Sequence, residues 1–405
     1  MTGRKNRPKA IIIIGGSYLQ LPQIRWAREL GLHVIVTDKY HEVPGREMAD
    51  RFVRVDGTDT GAFIKLASEV NKKYQLIGIY ASSDFGLPTV AAVSQSLGLP
   101  GCPPRVITKA LNKSKARQIW LTNGLSVPRG VKVKSQADAV NAIMEIRLPA
   151  IVKPVDGSGS RGVRSISKQS DLKEAFAEAR SVSDEVLVEE LIWGRHIDVN
   201  GMIVDGTFYG CGISERFFSP RPFHYPLWGY QEAELSDEQK DNMYHLVNRA
   251  ARCLGVEIGP VKADMVLTEN GPVLIELSPR FHGDIGTSFV TPLSTDMSPI
   301  RAYFAFLAGQ DNFFDLLRPK FSQVAGWRAL FPTDHGRLMA IGGLEKVKKM
   351  KDVAHVFIRA WPGQLVKPPK DNTSLYGFIV ARGANSKQLN TLLKTAADNI
   401  EFICH

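Results

Sequence analysis

The chain has 405 residues and a formal charge of +10 at pH 7, because 51 lysines and arginines face 41 aspartates and glutamates. A hydrophobic fraction of 44% with 23% charged residues is typical of a globular chain of two or three domains. This composition excludes a mainly disordered chain, a collagen and a bundle of membrane-spanning helices. Both signs of charge are interleaved along most of the chain, so the basic excess favours small anionic ligands over nucleic acid.

The cysteines and the apolar segments indicate neither secretion nor a membrane anchor. Four cysteines lie far apart in the sequence, at positions 102, 211, 253 and 404. This spacing argues against a disulfide framework or a CxxC metal site, and we expect a reducing, cytoplasmic compartment. The apolar run at residues 11–14 is too short for a signal peptide or a membrane-spanning helix, so no membrane association is expected.

The first hundred residues alternate predicted strands and helices, a pattern typical of a doubly wound parallel sheet. Strands are predicted at residues 9–14, 33–37 and 75–80, with a helix at 24–30. Gly16 follows the first of these strands, and Ser83 and Asp84 follow the last. Because such sheets bind ligands beyond the carboxyl ends of their strands, these three residues are candidate substrate contacts.

After the turn-forming segment 99–104, the chain predicts two further units. The predicted elements are a helix at residues 112–123, strands at 150–153 and 185–190, a helix at 237–254, and strands at 337–341, 355–358 and 376–382. Residues 214–232 are dense in aromatic residues and prolines, and this composition predicts a long ordered loop. The elements beyond about residue 310 indicate an α+β segment.

A glycine- and serine-rich loop directly follows the predicted strand at 150–153. Its small residues are Gly157, Ser158, Gly159, Ser160 and Gly162. Such residues let backbone N–H groups approach phosphate oxygens closely. The segment is not a P-loop, because that motif ends in Gly-Lys-Ser/Thr whereas Lys153 precedes this loop. A flexible hairpin is the alternative interpretation of the segment taken alone.

Two acidic residues belong to a predicted hairpin with strands at residues 261–267 and 272–277, joined by a turn at 269–271. Asp264 and Glu276 can lie side by side on one face of this hairpin. Two such carboxylates repel each other unless a cation bridges them, and hard oxygen ligands suit Mg²⁺ held together with substrate phosphates. The alternative is a pair of solvated charges on an edge hairpin.

Several motifs, in this order, resemble those of the ATP-grasp superfamily. They are Asn112-Lys113 before a helix, Lys153 before the glycine-rich loop, Glu189-Glu190-Leu191-Ile192, Asp264, and Glu276-Leu277-Ser278-Pro279-Arg280. The resemblance covers essentially the whole chain and implies a mixed α/β and α+β architecture. It implies a Rossmann-like domain at residues 1–105, an ATP-grasp domain at 106–310 with a mobile lid at about 125–195, and a C-terminal α+β segment at 311–405.

The resemblance also implies a nucleotide-binding role for many of these residues. Lys113 and Lys153 are similar to the two lysines that hold the ATP phosphates, and the loop at 157–162 is similar to the lid loop that closes over them. Glu189 resembles the acceptor of the adenine amino group, with the backbone of Glu190 and Ile192 reading the purine edge. His196 stands where the family has an acidic ribose contact.

For the chemistry, the resemblance implies that Asp264 and Glu276 bind Mg²⁺ or Mn²⁺, with two ions in the site. Arg280 resembles the arginine that steadies the transferred phosphoryl or acyl-phosphate group, so Arg280 and Lys153 are the candidate catalytic residues. Ser278 stands where family members often carry asparagine, and its hydroxyl is a weaker metal ligand. Further candidate substrate contacts are Arg216, His224, His282 and Asp284.

The activity implied is that of an ADP-forming carboxylate–amine ligase, similar to the L-amino-acid ligases, that acts through an acyl-phosphate. Its partners would be a small carboxylate, such as an amino acid, and an amine, with a homodimer as a possible assembly and no nucleic acid. The chain also resembles biotin carboxylase, carbamoyl phosphate synthetase and the formate-using enzymes of purine biosynthesis. Two other classes are an NAD-dependent oxidoreductase, for which the full GxGxxG spacing is lacking, and a non-catalytic nucleotide-binding protein.

Overall fold

The computed structural model describes residues 7–283, 285–332 and 334–405, which begin with a parallel sheet flanked by helices. The elements are β1 (Lys9–Ile14), α1 (Leu21–Glu29), β2 (His33–Asp38), α2 (Gly45–Met48), β3 (Arg51–Arg54), α3 (Thr60–Lys73), β4 (Gln75–Ala81) and α4 (Leu87–Leu97). The strand order is β3-β2-β1-β4, and all pairs are parallel. Ile11 and Ile13 pack on the side of α1 and Ile12 on the side of α3, so both faces of β1 are buried. The predicted doubly wound sheet is confirmed.

Two helices connect this four-stranded sheet to a second four-stranded sheet, which is antiparallel and which we call the lid sheet. The elements are α5 (Pro104–Leu111), α6 (Lys113–Thr122), β5 (Gly130–Val133), α7 (Gln136–Ile146), β6 (Ala150–Pro154), β7 (Arg164–Ile166), α8 (Leu172–Arg180) and β8 (Val186–Glu190). The strand order is β5-β8-β6-β7. Asn112 caps α6, because its side-chain oxygen accepts a hydrogen bond from the Lys115 N–H at 2.9 Å. This cap fixes Lys113 in the first turn of α6.

The central part of the chain builds most of a large sheet. Its elements are β9 (Arg195–Val204), β10 (Thr207–Phe218), β11 (Pro226–Gln231), α9 (Asp237–Leu254), β12 (Gly259–Thr268), β13 (Gly271–Ser278), α10 (Thr291–Thr295) and α11 (Pro299–Leu307). The predicted helix at 237–254 is confirmed. It starts in a capping box between Ser236 and Gln239 and ends at Gly255, whose φ of +90° favours glycine.

The predicted loop over residues 214–232 is wrong, because most of this segment forms the antiparallel pair β10–β11. The aromatic residues that suggested a loop stabilise the pairing instead. Phe217 lies opposite Trp228, and their rings stack with centroids 4.2 Å apart. Only the residues between Phe218 and Pro226 connect the two strands.

The C-terminal part continues the same sheet. Its elements are β14 (Val324–Leu330), β15 (Gly336–Gly342), α12 (Leu344–Lys348), β16 (Val353–Ile358), β17 (Leu365–Val366), β18 (Gly377–Gly383), α13 (Ser386–Asp398) and β19 (Glu401–Cys404). The eight-stranded sheet has the order β13-β12-β9-β10-β11-β14-β18-β16, and a second sheet has the order β17-β15-β19. None of the helices in the described ranges has the length and apolar character needed to cross a membrane.

Candidate active site

A cavity of about 330 Å³ lies where the lid sheet, the eight-stranded sheet and the segment after β4 meet. Most of the site residues predicted from the sequence line it. They are Asp84, Lys113, Lys153, Gly157, Ser158, Gly159, Ser160, Glu189, Glu190, Ile192, His196, Arg216, His224, Asp264, Glu276, Arg280 and His282. The fold therefore brings together residues that are up to about 200 positions apart in sequence.

Four described candidates are not among the cavity-lining residues. Gly16 is packed against Val43, which lies 2.8 Å from the place of a Cβ atom. Gly162 packs against α8, and Ser278 is turned toward Asp84. Ser83 also lies outside the lining, and the predicted candidate Asp284 falls outside the described residues.

Hydrogen bonds hold the lid loop, residues 157–162, at its first residue and near its middle. The Lys113 ammonium group donates a hydrogen bond to the Gly157 carbonyl at 2.5 Å. The backbone of Gly159 and Ser160 has positive φ angles of +69° and +59°. The Gly159 carbonyl accepts a hydrogen bond from the Asn372 N–H at 3.1 Å. Asn372 belongs to the C-terminal segment and lines the cavity, although it was not among the residues predicted from the sequence.

The same loop also contacts the N-terminal domain. The guanidinium group of Arg161 lies over the ring of Phe85, 5.5 Å from its centroid, and Phe85 directly follows Asp84. Arg161 also donates from Nε to the Ser158 carbonyl at 3.3 Å. The loop is therefore folded against residues from three separate parts of the chain.

Lys153 and Glu189 form a buried ion pair on the lid sheet. Their Nζ and Oε1 atoms are 2.5 Å apart, and each side chain is at most 6% exposed. Arg117 from α6 pairs with the other oxygen of Glu189. Burial raises the pKa of Glu189, but Arg117 and Lys153 outweigh it and hold that pKa below its usual value. Burial is the main cause that lowers the pKa of Lys153.

Arg117 is a charged residue of the site that was not predicted from the sequence. It lies four positions after Lys113, so both side chains share one face of α6, and this spacing is the signal that could have found it. Because the carboxylate of Glu189 is held by two cations, it has a fixed orientation at the cavity wall. The contact of Glu189 with adenine stays a prediction.

Three carboxylates form a row across neighbouring strands. Asp264 lies opposite Glu276 on β13, as expected for the predicted hairpin, and opposite Asp198 on β9. Lys262 Nζ lies 2.8 Å from both oxygens of Asp264, and Arg216 contacts Asp198 at 2.5 Å and Asp264 at 3.2 Å. Burial raises the pKa of Asp264, but Lys262 and Arg216 outweigh it and hold that pKa well below its usual value.

The donor set of this row fits a divalent ion that is shared with a polyphosphate. Asp264 and Glu276 supply hard oxygen atoms side by side, and Glu276 is only loosely paired with Lys113, at 3.7 Å. Within the described residues, no three His, Cys, Asp or Glu side chains are grouped to hold a metal ion by themselves. Phosphate oxygens and water would therefore complete the coordination, as is usual for Mg²⁺.

Arg280 and Asp84 come together although they lie in different parts of the chain. Arg280 Nε and Nη2 each donate to one oxygen of Asp84 at 2.7 Å. The hydroxyl of Ser278, a predicted metal ligand, donates to Asp84 at 2.7 Å. Burial raises the pKa of Asp84, but the charge of Arg280 outweighs it and holds that pKa well below its usual value.

Three histidines surround this charged centre. His282 Nε2 lies 2.8 Å from Asp198 Oδ2. Burial, followed by the charge of Arg216, lowers the pKa of His196. Burial, followed by His196 and Arg221, lowers the pKa of His224 to about 4. His224 is therefore neutral at pH 7.

The charges that line the cavity suit a polyanion with its metal ions. Six cationic and five anionic side chains are distributed around it. The cationic ones are Lys113, Lys153, Arg161, Arg216, Lys262 and Arg280, and the anionic ones are Asp84, Glu189, Glu190, Asp264 and Glu276. A site of this kind can neutralise phosphate charge and exclude water, which are the main requirements of phosphoryl transfer.

Known proteins resemble this chain in sequence and in fold. Family models match the chain in three segments: an ATP-grasp N-terminal domain at residues 24–101, an ATP-grasp domain at 146–288, and an L-amino acid ligase C-terminal domain 2 at 328–405. The crystal structure of an L-amino acid ligase from Bacillus licheniformis is similar, with a TM-score of 0.84 and 24% identity over 98% of this chain and 99% of that chain.

Two similar sequences span nearly the whole chain. The uncharacterised protein y4rH of Sinorhizobium fredii is 29% identical over 97% of this chain and 83% of its own length. A formate-dependent phosphoribosylglycinamide formyltransferase of Prochlorococcus marinus is 22% identical over 98% of each chain.

Proposed function

We propose that this chain, which belongs to the ATP-grasp superfamily and is an ATP-dependent, ADP-forming carbon–nitrogen ligase, joins a small carboxylate to an amine. The carboxylate is an amino acid or a similar small acid. The match of the C-terminal segment to an L-amino acid ligase domain supports this choice of substrate class.

The observation that carries the proposal is the pairing of Asp264 with Glu276 beside Lys113 in one cavity. We infer that Asp264 and Glu276 hold the divalent ions, two of them, and that Ser278 contributes at most through water because its hydroxyl donates to Asp84. When bound, Mg²⁺ or Mn²⁺ neutralises the charge that develops on the transferred phosphoryl group.

Other side chains of the cavity bind the phosphates, exclude water and stabilise the developing charge. Lys113 and Lys153 bind the β- and γ-phosphates as point charges, and the lid loop excludes water. A carboxylate oxygen of the substrate attacks the γ-phosphorus, and the bond from this phosphorus to the β-γ bridging oxygen breaks. ADP leaves and an acyl-phosphate remains. The amine nitrogen attacks the acyl carbon and loses a proton, and inorganic phosphate departs. Arg280 steadies the transferred phosphoryl group of the acyl-phosphate and stabilises the oxyanion of this second step.

For the nucleotide, we propose that Glu189 and the backbone of Glu190 and Ile192 contact adenine. His196 replaces the acidic ribose contact. The remaining cavity histidines, His224 and His282, are proposed to face the carboxylate and the amine. The proposed division of the chain is at residues 105 and 310, with the lid at about 125–195.

The test is a screen of amino acids and other small acids, singly and in pairs, for ADP release with Mg²⁺ and ATP. Amide formation in proportion to ADP, measured by mass spectrometry, is the expected result. Release of AMP and pyrophosphate would contradict the acyl-phosphate route, because lysines around the β- and γ-phosphates make the γ-phosphorus the electrophile. The Glu276→Gln variant in the same screen excludes a contaminating ATPase.

A second candidate is supported by the relative that acts on formate and covers 98% of this chain. In that case formate is the carboxylate and phosphoribosylglycinamide is the amine. Formate-dependent ADP release in the same screen, without release by any amino acid, would favour it. Release that depends on bicarbonate and biotin would instead indicate a biotin-carboxylase-like enzyme.

Three further parts of the proposal concern the environment of the enzyme. The ligase is proposed to act in the cytoplasm, on small molecules alone, and as a homodimer. Light scattering of the purified chain tests the dimer, and a cell fractionation experiment tests the compartment.

A further inference from the structure

We propose that Asp84 is a positioning residue for Arg280, and that the pair leaves one edge of the guanidinium group to receive the oxyanion of the transferred group. The proposal rests on the proposed function, in which Arg280 acts on that group. It assigns Asp84 a role different from the substrate contact expected from its place after β4.

A count of donors on Arg280 supports the proposal. A guanidinium group has five N–H donors. Nε and one N–H of Nη2 are used by the two oxygens of Asp84, at 2.7 Å each, and one N–H of Nη1 donates to the Phe281 carbonyl at 3.0 Å. Two N–H groups remain, one on Nη1 and one on Nη2, and we infer that they share the edge between these two nitrogens. This edge can hold two oxygen atoms of a phosphate or of an acyl-phosphate.

The hydrogen bonds of Asp84 indicate that it orients Arg280 and does not itself contact a ligand. Its oxygens already receive three hydrogen bonds, two from Arg280 and one from the Ser278 hydroxyl. The side chains of Arg280 and Asp84 are only 11% and 14% exposed, so water competes little for these bonds. The charges of Asp84 and Arg280 also offset each other. Arg280 therefore binds the oxyanion mainly through its well-oriented free N–H donors.

The arrangement connects two parts of the chain that are far apart in sequence. Asp84 follows β4 of the N-terminal sheet, and Arg280 follows β13 of the large sheet. A change of the carboxylate to a carboxamide removes one acceptor and turns an N–H₂ group toward the guanidinium donors. In the Asp84→Asn variant Arg280 therefore loses its two-point support and samples other orientations.

The experiment measures the affinity of inorganic phosphate for the enzyme with saturating MgADP, by isothermal titration calorimetry. Inorganic phosphate is the product that contains the transferred phosphoryl group, so the experiment does not require the carboxylate or the amine to be known. Asp84→Asn and Arg280→Ala are each expected to weaken phosphate binding by about tenfold or more, and the double variant is expected to bind no more weakly than Arg280→Ala alone. Effects that multiply in the double variant overturn the proposal, because Asp84 would then act independently of Arg280.

Two controls separate positioning from general damage. Asp50→Asn changes a carboxylate of the same domain that accepts a hydrogen bond from Val34 N–H at 2.8 Å and does not line the cavity. It is expected to leave phosphate affinity unchanged. The affinity for MgADP is expected to stay within about twofold in every variant, since Asp84 and Arg280 act beyond the nucleotide. Loss of MgADP binding in Asp84→Asn contradicts the positioning role.

The outcomes also separate this proposal from the proposed function. If wild-type enzyme with MgADP binds no phosphate, the free edge of Arg280 is not an oxyanion site and the proposal is wrong, whatever the screen shows. If phosphate binding behaves as expected but no acid releases ADP, the ligase function is wrong and the Asp84–Arg280 pair stands.

Discussion

Asp264 and Glu276 lie directly opposite each other on β12 and β13, and each carboxylate is already within 4 Å of a lysine. Lys262 holds both oxygens of Asp264, whereas Lys113 lies 3.7 Å from Glu276. The two acids are thus unequal before any metal arrives. Glu276 is the less firmly paired of the two residues. A cation can therefore bind its oxygen atoms with the smaller loss of existing ion-pair contacts.

Glu276→Gln is expected to lower ligand-dependent ADP release by about a hundredfold, since the amide keeps the shape but removes the charge that attracts Mg²⁺. Asp264→Asn is expected to behave similarly, with a smaller loss. Steady-state rates over a range of Mg²⁺ concentrations are the measurement. Glu269→Gln, an exposed residue in the turn of the same hairpin, is the matched control. Wild-type activity of Glu276→Gln at ordinary Mg²⁺ would falsify the metal assignment.

The buried pair of Glu189 with Arg117 and Lys153 predicts a large stability effect. Arg117→Ala leaves Glu189, which is 3% exposed, with one cationic partner instead of two, and is expected to cost about 3 kcal/mol of unfolding free energy. Urea unfolding at pH 7 measures it. Arg129→Ala breaks an exposed pair with Glu190 and is expected to cost less than about 1 kcal/mol. Equal effects of the two variants would contradict the role of burial.

Those parts of the fold that depend on local pattern could be predicted from the sequence. The β12–β13 hairpin follows from two apolar runs joined by the turn at residues 269–271, so the amino-acid sequence alone predicts that Asp264 and Glu276 lie side by side. The helix over residues 237–254 follows from its cap and its apolar spacing. In both cases neighbours in sequence are also neighbours in space.

Long-range contacts explain what the sequence did not predict. The segment 214–232 was predicted as a loop because its prolines interrupt the alternation of side chains that is typical of a strand. The cross-strand stacking of Phe217 on Trp228 stabilises two strands there instead. Asn372 reaches the lid loop from a part of the chain more than 200 residues away, and no local motif marks it. Polar and apolar residues alternate strictly over residues 196–200, which places Asp198 on the same face as His196. This alternation is a signal from which Asp198 could have been predicted.

His224 predicts a pH dependence of stability. Its pKa is lowered to about 4 by burial and by His196 and Arg221, so the unfolded chain takes up the proton at higher pH than the folded one. The stabilising contribution is fully present above pH 6.5 and is lost as the pH falls toward 4. His224→Gln is expected to remove this dependence, at most about 3 kcal/mol between pH 6.5 and 4. Urea unfolding of both proteins across this range is the measurement, and parallel curves would contradict it.

The contact of Arg161 with Phe85 predicts that the lid loop depends on the N-terminal domain. Phe85→Ala removes the ring under the guanidinium group, which contributes about 0.5–1 kcal/mol at an exposed site. The loop at 157–162 is then expected to exchange its amide hydrogens faster with MgADP bound, and the KM for ATP is expected to rise about threefold.

Trp361→Ala is the matched control for this lid prediction, because Trp361 is also an exposed aromatic residue, at 62% against 57% for Phe85, and does not line the cavity. Hydrogen exchange followed by mass spectrometry compares the two variants with and without nucleotide. In the wild-type enzyme, exchange in the loop is expected to slow when MgADP binds, because the phosphates then accept hydrogen bonds from the loop in addition to its contacts with Lys113, Asn372 and Phe85. Equal exchange in the two variants, or a loop unaffected by nucleotide, would show that Phe85 does not hold the lid closed.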